Sequence, residues 1–242
     1  MGIHRVIGRR SRRIALQLLV LVPAVTACLP QSATAEGDAV TGLYVLFMIA
    51  AIGVFVVVAG LIAWSIIRHR AGDPGTLPIQ TDAHLRLEAI WWAAPTVLVG
   101  VLIVLTVGVL SRIDAPPPSD ALVVEVDGFQ WGWRFTYPEA DVTVAGTAVD
   151  PPRIRLPLDR PITFVLRSAD VVHSFYVPAF LVKRDHVPGQ ENRLTVTLTR
   201  EGTYGAQCGE FCGLLHEGMR FEIDAVRPDA FETWLASEGR DR

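Results

Sequence analysis

The sequence predicts a two-helix transmembrane hairpin followed by an all-β domain of the Greek-key sandwich or barrel type. Two uncharged apolar stretches, residues 39–67 and 89–111, each exceed the roughly 20 residues that a membrane-spanning helix needs. Beyond residue 115 the pattern changes to short alternating runs separated by turn residues, which indicates strands. The hydrophobic fraction of 50% is high for a soluble protein, and the excess lies in the first 110 residues.

The first 27 residues have the pattern of a secretory signal peptide of the lipoprotein type. Five arginines between positions 5 and 13 precede an apolar run over residues 14–25, and Thr26-Ala27-Cys28 follows. This ending resembles a bacterial lipobox, so we expect residues 1–27 to be removed and Cys28 to carry a lipid. The alternative is that Cys28 is a small apolar residue of a signal anchor.

The charges around the apolar stretches predict the membrane topology. Residues 28–114 comprise a short N-terminal segment and two spans at about 41–67 and 90–110. Arg68, Arg70 and Arg86 lie between the spans, whereas the segment before the first span has no Lys or Arg. The positive-inside rule places the intervening loop in the cytoplasm. We therefore expect a two-pass protein of a bacterial cell membrane, with residues 115–242 on the outer side.

The exported part begins after a stiff linker, Pro116-Pro117-Pro118. We predict strands at residues 122–126, 162–166, 194–198 and 219–223, and a helix at 228–237. Residues 115–242 contain 19 Asp and Glu against 13 Lys and Arg. This acidic balance suits a cationic partner, although an ordinary solvated surface explains it nearly as well. A nucleic-acid partner is disfavoured, because basic residues cluster only in the signal peptide.

The segment from Gln207 to Met219 contains the candidate metal ligands Cys208, Cys212, His216 and Met219. Thiolate, imidazole and thioether groups are ligands that copper prefers, and the glycines between them favour a tight loop. His173 offers a second imidazole, and two closely spaced cysteines can bridge two metal ions. A disulfide and a zinc site are the alternatives, but zinc sites rarely use methionine. We therefore predict a dinuclear copper centre.

Two motifs, C-x-E-x-C-x3-H-x2-M and an upstream D-V-x-H-S-F-x-V-P, occur together here. In these residues, and over most of residues 41–226, the chain resembles the subunit II family of haem–copper cytochrome c oxidases. The resemblance implies a cupredoxin fold and a copper-A centre of two copper ions. The implied metal ligands are His173, Cys208, Glu210, Cys212, His216 and Met219. It further implies that Glu210 gives its backbone carbonyl to copper and its carboxylate to a magnesium ion shared with subunit I.

The resemblance also implies roles for Trp131 and Glu88. Trp131 lies in a G-x-Q-W-x-W run and corresponds to the tryptophan through which electrons enter from cytochrome c, whereas Trp133 and Phe135 are expected to fill the core. Gly132 departs from the larger residue of many family members, which leaves the details of partner docking open. Glu88 matches a glutamate at the cytoplasmic mouth of a proton path. The alternative for Glu88 is simple stabilisation of a helix N-terminus.

We therefore expect subunit II of a bacterial aa3-type cytochrome c oxidase. Such a subunit accepts electrons from a c-type cytochrome and passes them to haem in subunit I, where oxygen reduction is coupled to proton pumping. Its expected partners are subunit I, other oxidase subunits, the cytochrome and membrane lipid. The sequence lacks C-x-x-C-H, so the donor is expected to be a separate protein. The alternative function is a membrane-tethered copper carrier or another copper-binding electron-transfer protein.

Overall fold

The structure, a computed structural model, describes residues 31–70 and 81–238. The predicted signal peptide and Cys28 lie outside these residues. The chain divides into two compact units. One is Gly42–Ala115, and the other combines the residues before Gly42 with the chain from Pro116 onward.

The first unit contains two long apolar helices. Helix α1 spans Ala35–Arg68, although its first residues belong to the other unit, and helix α2 spans Leu85–Ile113. By length and composition alone, both helices could cross a membrane, as predicted. At the start of α2, the Nδ1 of His84 accepts a hydrogen bond from the Leu87 N–H at 3.2 Å. Glu88 Oε1 accepts one from the His84 N–H at 3.0 Å, so this carboxylate caps its own helix.

The second unit is a sandwich of two five-stranded sheets. Its strands are β1 Leu122–Phe129, β2 Gly132–Tyr137, β3 Val142–Thr147, β4 Arg153–Pro157, β5 Pro161–Ser168, β6 His173–Val177, β7 Val182–His186, β8 Asn192–Thr197, β9 Gly202–Cys208 and β10 Arg220–Val226. The sheet orders are β3-β2-β1-β5-β8 and β4-β10-β9-β6-β7. Helix α3, Pro228–Glu238, follows the last strand. The predicted all-β cupredoxin domain after two apolar helices is confirmed, and the four predicted strands and the C-terminal helix are all present.

An aromatic core lies between the two sheets. The rings of Phe164, Phe175 and Phe221 pack in series, with centroid distances of 4.6 and 5.1 Å. Trp133 and Phe135 are fully buried beside them, as expected from the sequence. Two of these rings adjoin predicted metal ligands in the sequence, since Phe175 follows His173 by two residues and Phe221 follows Met219 by two. The rigid core therefore fixes the strands that bear those ligands.

An N-terminal strap, residues 31–38, is built into the β-sandwich; it lies in the N-terminal segment that was predicted, together with the transmembrane hairpin, at residues 28–114. The Ala33 N–H donates to the Ala179 carbonyl at 2.8 Å, and the Thr199 N–H donates to the Ala33 carbonyl at 2.9 Å. Glu36 Oε2 accepts from the Thr197 N–H at 2.8 Å, at the end of edge strand β8. The strap therefore covers backbone groups that an uncovered sheet edge would expose.

The strap includes the first residues of α1, and Thr34 makes the transition from extended chain to helix. The Thr34 hydroxyl accepts from the Gly37 N–H at 3.0 Å, and its carbonyl accepts from the Asp38 N–H at 3.0 Å. Thr34 is thus the N-cap of α1. Gly37 is buried against the domain, where a Cβ would lie 2.1 Å from Ser32 Oγ and 2.6 Å from the Phe180 carbonyl oxygen.

The substitution Gly37→Ala should loosen the strap and destabilise the domain by about 1–3 kcal/mol, because the added methyl overlaps a backbone oxygen that cannot rotate away. Thermal unfolding and protease cleavage near residue 38 would measure the effect. Gly42→Ala is the matched control, since a Cβ there meets nothing within 4 Å. Equal melting temperatures and cleavage rates for the two variants would contradict this reading of the strap.

Candidate metal centre

The predicted ligands converge at one end of the second sheet. His173 is the first residue of β6, Cys208 is the last residue of β9, and Met219 directly precedes β10. Strands β6, β9 and β10 are neighbours in this sheet, with Phe175 of β6 paired with Cys208 of β9. The sheet therefore brings His173 to the loop 209–219, although 35 residues separate it from Cys208.

The donor atoms lie close together and are largely buried. One nitrogen of His173 and the sulfurs of Cys208 and Cys212 lie within 4.8 Å of one another. The His173 Nδ1 is 3.9 Å from the Cys208 sulfur. The Cys212 sulfur lies 3.5 Å from the Nδ1 of His216 and 3.6 Å from the Met219 sulfur. Five of the predicted side-chain ligands thus surround one small space.

Glu210 presents two groups in this region. Its backbone carbonyl oxygen is 3.2 Å from the Cys208 sulfur, near the other candidate ligands. Its carboxylate makes an ion pair with the Lys183 ammonium, and both side chains are partly exposed. The Lys183 Nζ also lies 3.8 Å from Asp185 Oδ1. The carbonyl is therefore available to a metal inside the loop, whereas the carboxylate is engaged with a lysine of β7.

Backbone hydrogen bonds hold the loop in place. The Cys208 N–H donates to the Met219 carbonyl at 2.9 Å, which closes the base of the loop. The Gly209 N–H donates to the Ser174 carbonyl at 3.0 Å, next to His173. Gly213 has a φ of 119°, and a Cβ there would lie 3.1 Å from the Trp131 ring. Glycine at this position permits both the backbone conformation and the close approach of the indole.

Two side chains from the β1–β2 turn hold the loop by hydrogen bonds to the Cys212 carbonyl. The Gln130 side-chain amide donates to the Cys212 carbonyl at 2.7 Å, and the Trp131 indole N–H donates to the same oxygen at 3.1 Å. Trp133, which is fully buried in β2, donates its indole N–H to the Met219 carbonyl at 3.4 Å. Trp131 is therefore joined to a cysteine of the site by a hydrogen bond and is only partly buried.

A carboxylate orients the buried imidazole. The His173 ring is fully buried, and its Nε2 lies 2.8 Å from Asp170 Oδ1. Since a carboxylate only accepts hydrogen bonds, Nε2 carries the proton and Nδ1 faces the sulfurs. Partial burial opposes ionisation of Asp170, but hydrogen bonds from His173 and the Gln130 N–H outweigh it and lower the pKa of the carboxyl.

The two thiols of the site differ in acidity. Burial opposes ionisation of Cys208, but the hydrogen bond with His173 and others from the backbone outweigh it and lower the thiol pKa. Burial and the neighbouring Cys208 charge raise the pKa of Cys212 to about 12. Metal binding must therefore release a proton from Cys212, so that metal affinity rises with pH.

The donor chemistry fits copper. Two thiolates, two imidazoles and a thioether form a soft to borderline set, which suits copper better than magnesium, calcium or manganese. Cys208 and Cys212 are both unpaired thiols in the structure, not a disulfide. The buried thioether also distinguishes the site from ordinary structural zinc sites, which use Cys and His.

Several residues of the site were not identified from the sequence. Asp170 and Gln130 stand in the sequence motifs described above, but their hydrogen bonds to His173 and to the Cys212 carbonyl were not predicted from the sequence. His186 was another such residue. It is fully buried opposite His173 on β7, and its Nδ1 lies 2.9 Å from the Arg167 carbonyl oxygen. Burial lowers the pKa of His186 to about 4, so this imidazole is a neutral core group beside Trp133.

The outer surface of the loop is apolar. Phe211 and Leu214 are 81% and 88% exposed, and Leu215 is 44% exposed. We call these three residues the loop tip. Exposed apolar side chains of this size on a loop beside a candidate metal site are characteristic of a contact surface for another protein.

The comparisons with known proteins agree with this geometry. Residues 122–226 match the family model described as cytochrome C oxidase subunit II, periplasmic domain. A probable cytochrome c oxidase subunit 2 from Streptomyces avermitilis is 30% identical, over 97% of this chain and 89% of the relative. A cytochrome c oxidase subunit 2 from Synechocystis is 26% identical, over 86% of this chain and 75% of the relative.

Among solved structures, the periplasmic domain of subunit II of cytochrome oxidase from Bradyrhizobium japonicum is 27% identical, with a TM-score of 0.48. The match covers 52% of this chain and 99% of that domain. The identity with the Streptomyces protein extends over nearly the whole of both chains. The chain therefore belongs to the cytochrome c oxidase subunit II family, a component of the haem–copper oxidase complex.

Proposed function

We propose that this chain accepts electrons from a c-type cytochrome at a dinuclear copper centre and passes them to haem in subunit I of a bacterial aa3-type oxidase. Oxygen reduction and the coupled proton pumping take place in the partner subunit. One observation carries the proposal: two thiols, two imidazoles and a thioether meet beneath a tryptophan that is hydrogen-bonded to one of the cysteines.

The side chains divide the work of holding the metal. Cys208 and Cys212 would bridge the two copper ions, while His173 and His216 would each bind one of them. Met219 and the Glu210 carbonyl would be weak ligands. When bound, a dinuclear copper centre would supply one unpaired electron shared by its two ions, which would keep the reorganisation energy of electron transfer low. The protein contributes a buried, hydrogen-bonded frame that limits movement of the ligands between redox states.

Trp131 is the proposed point of electron entry. Its indole is partly buried, and its N–H donates to the Cys212 carbonyl oxygen, about four covalent bonds from the sulfur of the same residue. The loop tip lies in the same loop and offers an apolar contact surface. The excess of acidic residues in the exported domain would attract a positively charged cytochrome from a distance. Together these features support docking of the donor over Trp131.

The Trp131 contact favours electron transfer over the alternative of a copper carrier. A carrier must release its metal, for which an exposed and loosely held set of ligands is suited. Here His173 and Met219 are fully buried, and the loop is clamped by Gln130 and Trp131. These contacts stabilise a resident metal and provide a path to the surface.

A magnesium ion shared with subunit I remains a proposal for the Glu210 carboxylate. The partial exposure of this carboxylate supports access from a partner subunit, and its ion pair with Lys183 would have to open or rearrange. For Glu88, the hydrogen bond to His84 supports the capping role, and the part in a proton path stays a prediction. The lipid on Cys28 and cleavage after residue 27 also stay predictions.

We propose that the β-sandwich lies on the outer side of the bacterial cell membrane. The two apolar helices and the family of periplasmic domains to which residues 122–226 belong support this orientation. Arg68 and Arg86, near the end of α1 and the start of α2, would then lie in the cytoplasm.

Copper analysis of the full-length subunit in detergent tests the proposed centre. We expect two copper ions per chain and, after partial oxidation, an electron paramagnetic resonance spectrum with hyperfine coupling to both nuclei. The full chain is required because a fragment beginning at Ala115 lacks the strap. One copper per chain with a mononuclear blue-copper spectrum would refute the proposal. Rapid copper transfer to a chelator, without electron transfer from a cytochrome, would favour the carrier.

A further inference from the structure

Asp170 lies between β5 and β6 and makes contacts on two sides. Its Oδ1 is 2.8 Å from the Nε2 of His173, and its Oδ2 accepts a hydrogen bond from the backbone N–H of Gln130 at 2.7 Å. Oδ1 also accepts from the Val171 N–H at 2.7 Å. A single carboxylate therefore contacts both a proposed copper ligand and the residue that precedes the proposed entry tryptophan.

These and the neighbouring contacts form one continuous path, called here the circuit, from one cysteine of the site to the other. From Asp170 the circuit runs through the His173 ring to the Cys208 sulfur. In the other direction it runs through the backbone of Gln130 to the two side chains that donate to the Cys212 carbonyl. The circuit begins near one cysteine and ends at the other.

The packing around the His173 ring fixes its plane but does not replace the contact with Asp170. Gly128 packs so closely on the His173 ring that a Cβ would lie 3.1 Å from the ring carbon Cδ2, which fixes the plane of the ring from one side. Packing alone, however, does not decide which nitrogen carries the proton. The carboxylate decides it, because it accepts from Nε2 and leaves the lone pair of Nδ1 toward the sulfurs.

We propose that Asp170 is a positioning residue that holds His173 and the Gln130-Trp131 turn in one fixed arrangement, with one carboxylate oxygen for each. The proposal rests on the proposed function only for the identity of the metal and of the electron donor. Its direct consequence concerns two protons, the one on His173 Nε2 and the one on the backbone nitrogen of Gln130. Both can be observed without copper.

Asp170→Asn tests the proposal, because asparagine has the same shape but can accept on only one side. The full-length metal-free subunit would be labelled with ¹⁵N at histidine and glutamine and examined by nuclear magnetic resonance. Loss of a hydrogen bond to a charged acceptor should speed exchange of the affected proton with water by about tenfold or more. The asparagine oxygen can accept from only one of the two donors, so we expect faster exchange at either the His173 Nε2–H or the Gln130 N–H, and at both in Asp170→Ala, which removes both acceptor oxygens.

Asp224→Asn is the matched control. Asp224, on β10, accepts hydrogen bonds from Arg153 and Thr203, and within residues 31–70 and 81–238 it has no hydrogen bond or ion pair with the loop or with Asp170. It should leave both protons unchanged. A change at only one of the two protons in Asp170→Ala would overturn the proposal, and so would unchanged exchange at both protons in Asp170→Asn. Failure of this variant to fold would also overturn it, since Asp170 would then support the domain as a whole.

The copper-loaded subunit separates this proposal from the proposed function. Wild-type protein must first show two copper ions and mixed valence; if it does not, the proposed function fails whatever Asp170 does. If it does, Asp170→Asn should change the nitrogen hyperfine coupling of His173 and also slow reduction by the cytochrome severalfold. Trp131→Phe should slow reduction with the coupling unchanged. An Asp170→Asn spectrum and rate equal to those of wild type would reject the positioning role.

Discussion

Cys212→Ser should eliminate the dinuclear copper centre. The Cys212 sulfur lies within 3.6 Å of both the His216 Nδ1 and the Met219 sulfur, so its loss removes the ligand on which that half of the site is centred. Serine keeps the backbone carbonyl that Gln130 and Trp131 contact, so the loop should keep its shape. The loss in electron-transfer activity should exceed the roughly 10- to 100-fold that follows from removing an outer-shell partner of a metal.

Copper content and electron paramagnetic resonance would measure the result. We expect at most one copper per chain, held by Cys208 and His173, with hyperfine coupling to a single nucleus. Met219→Leu is the informative companion, because a weak ligand is lost and both bridging sulfurs remain. It should keep two copper ions and mainly shift their reduction potential. Retention of the mixed-valence spectrum in Cys212→Ser would contradict the bridging role of this sulfur.

Trp131→Gln should slow reduction by the cytochrome while leaving the copper spectrum nearly unchanged. The ring is not a ligand, but its N–H bonds to the Cys212 carbonyl, and its partly exposed face lies in the loop region available to a donor. Removing the indole interrupts this path. The expected decrease in rate is on the order of tenfold or more, which corresponds to about 1.4 kcal/mol or more in activation free energy.

Stopped-flow reduction at several ionic strengths would separate docking from transfer. Trp131→Phe keeps an apolar ring without the N–H, so it distinguishes the hydrogen bond from the contact surface. Trp234→Phe is a control of the same type, since Trp234 lies on helix α3 and packs against Tyr137 and Phe231, outside the loop. If the cytochrome reduces both Trp131→Gln and Trp234→Phe at the wild-type rate, Trp131 is a packing residue only.

The sequence predicted those features that depend on local composition. The apolar stretches, the alternation in β1 and the spacing of Cys208, Cys212, His216 and Met219 are visible in the residues themselves. His173 was found through a motif, and the structure places it beside Cys208. Trp133 was correctly predicted to fill the core.

Other features were not predictable because they depend on contacts between distant segments. Asp170 acts on Gln130, 40 residues earlier, and Gln130 acts on Cys212, 82 residues later. The strap carries no apolar alternation, since its sequence is Gln-Ser-Ala-Thr-Ala-Glu-Gly-Asp, and it docks mainly through backbone hydrogen bonds. Glu88 shows the converse, because its carboxylate caps helix α2 locally, whereas its part in a proton path stays a prediction.

The strap ties the completion of the domain to membrane insertion. Glu36 and Thr197 are 161 residues apart, and the chain between them includes both apolar helices. When these helices cross a membrane, the hydrogen bonds of the strap can form only if its residues and β8 have reached the same compartment. A chain with one helix left uninserted would have its strap on the wrong side and the edge of β8 bare. We expect proteases to cleave such a chain faster, because an uncovered sheet edge opens more readily. The stability of the domain therefore depends on correct insertion of the hairpin.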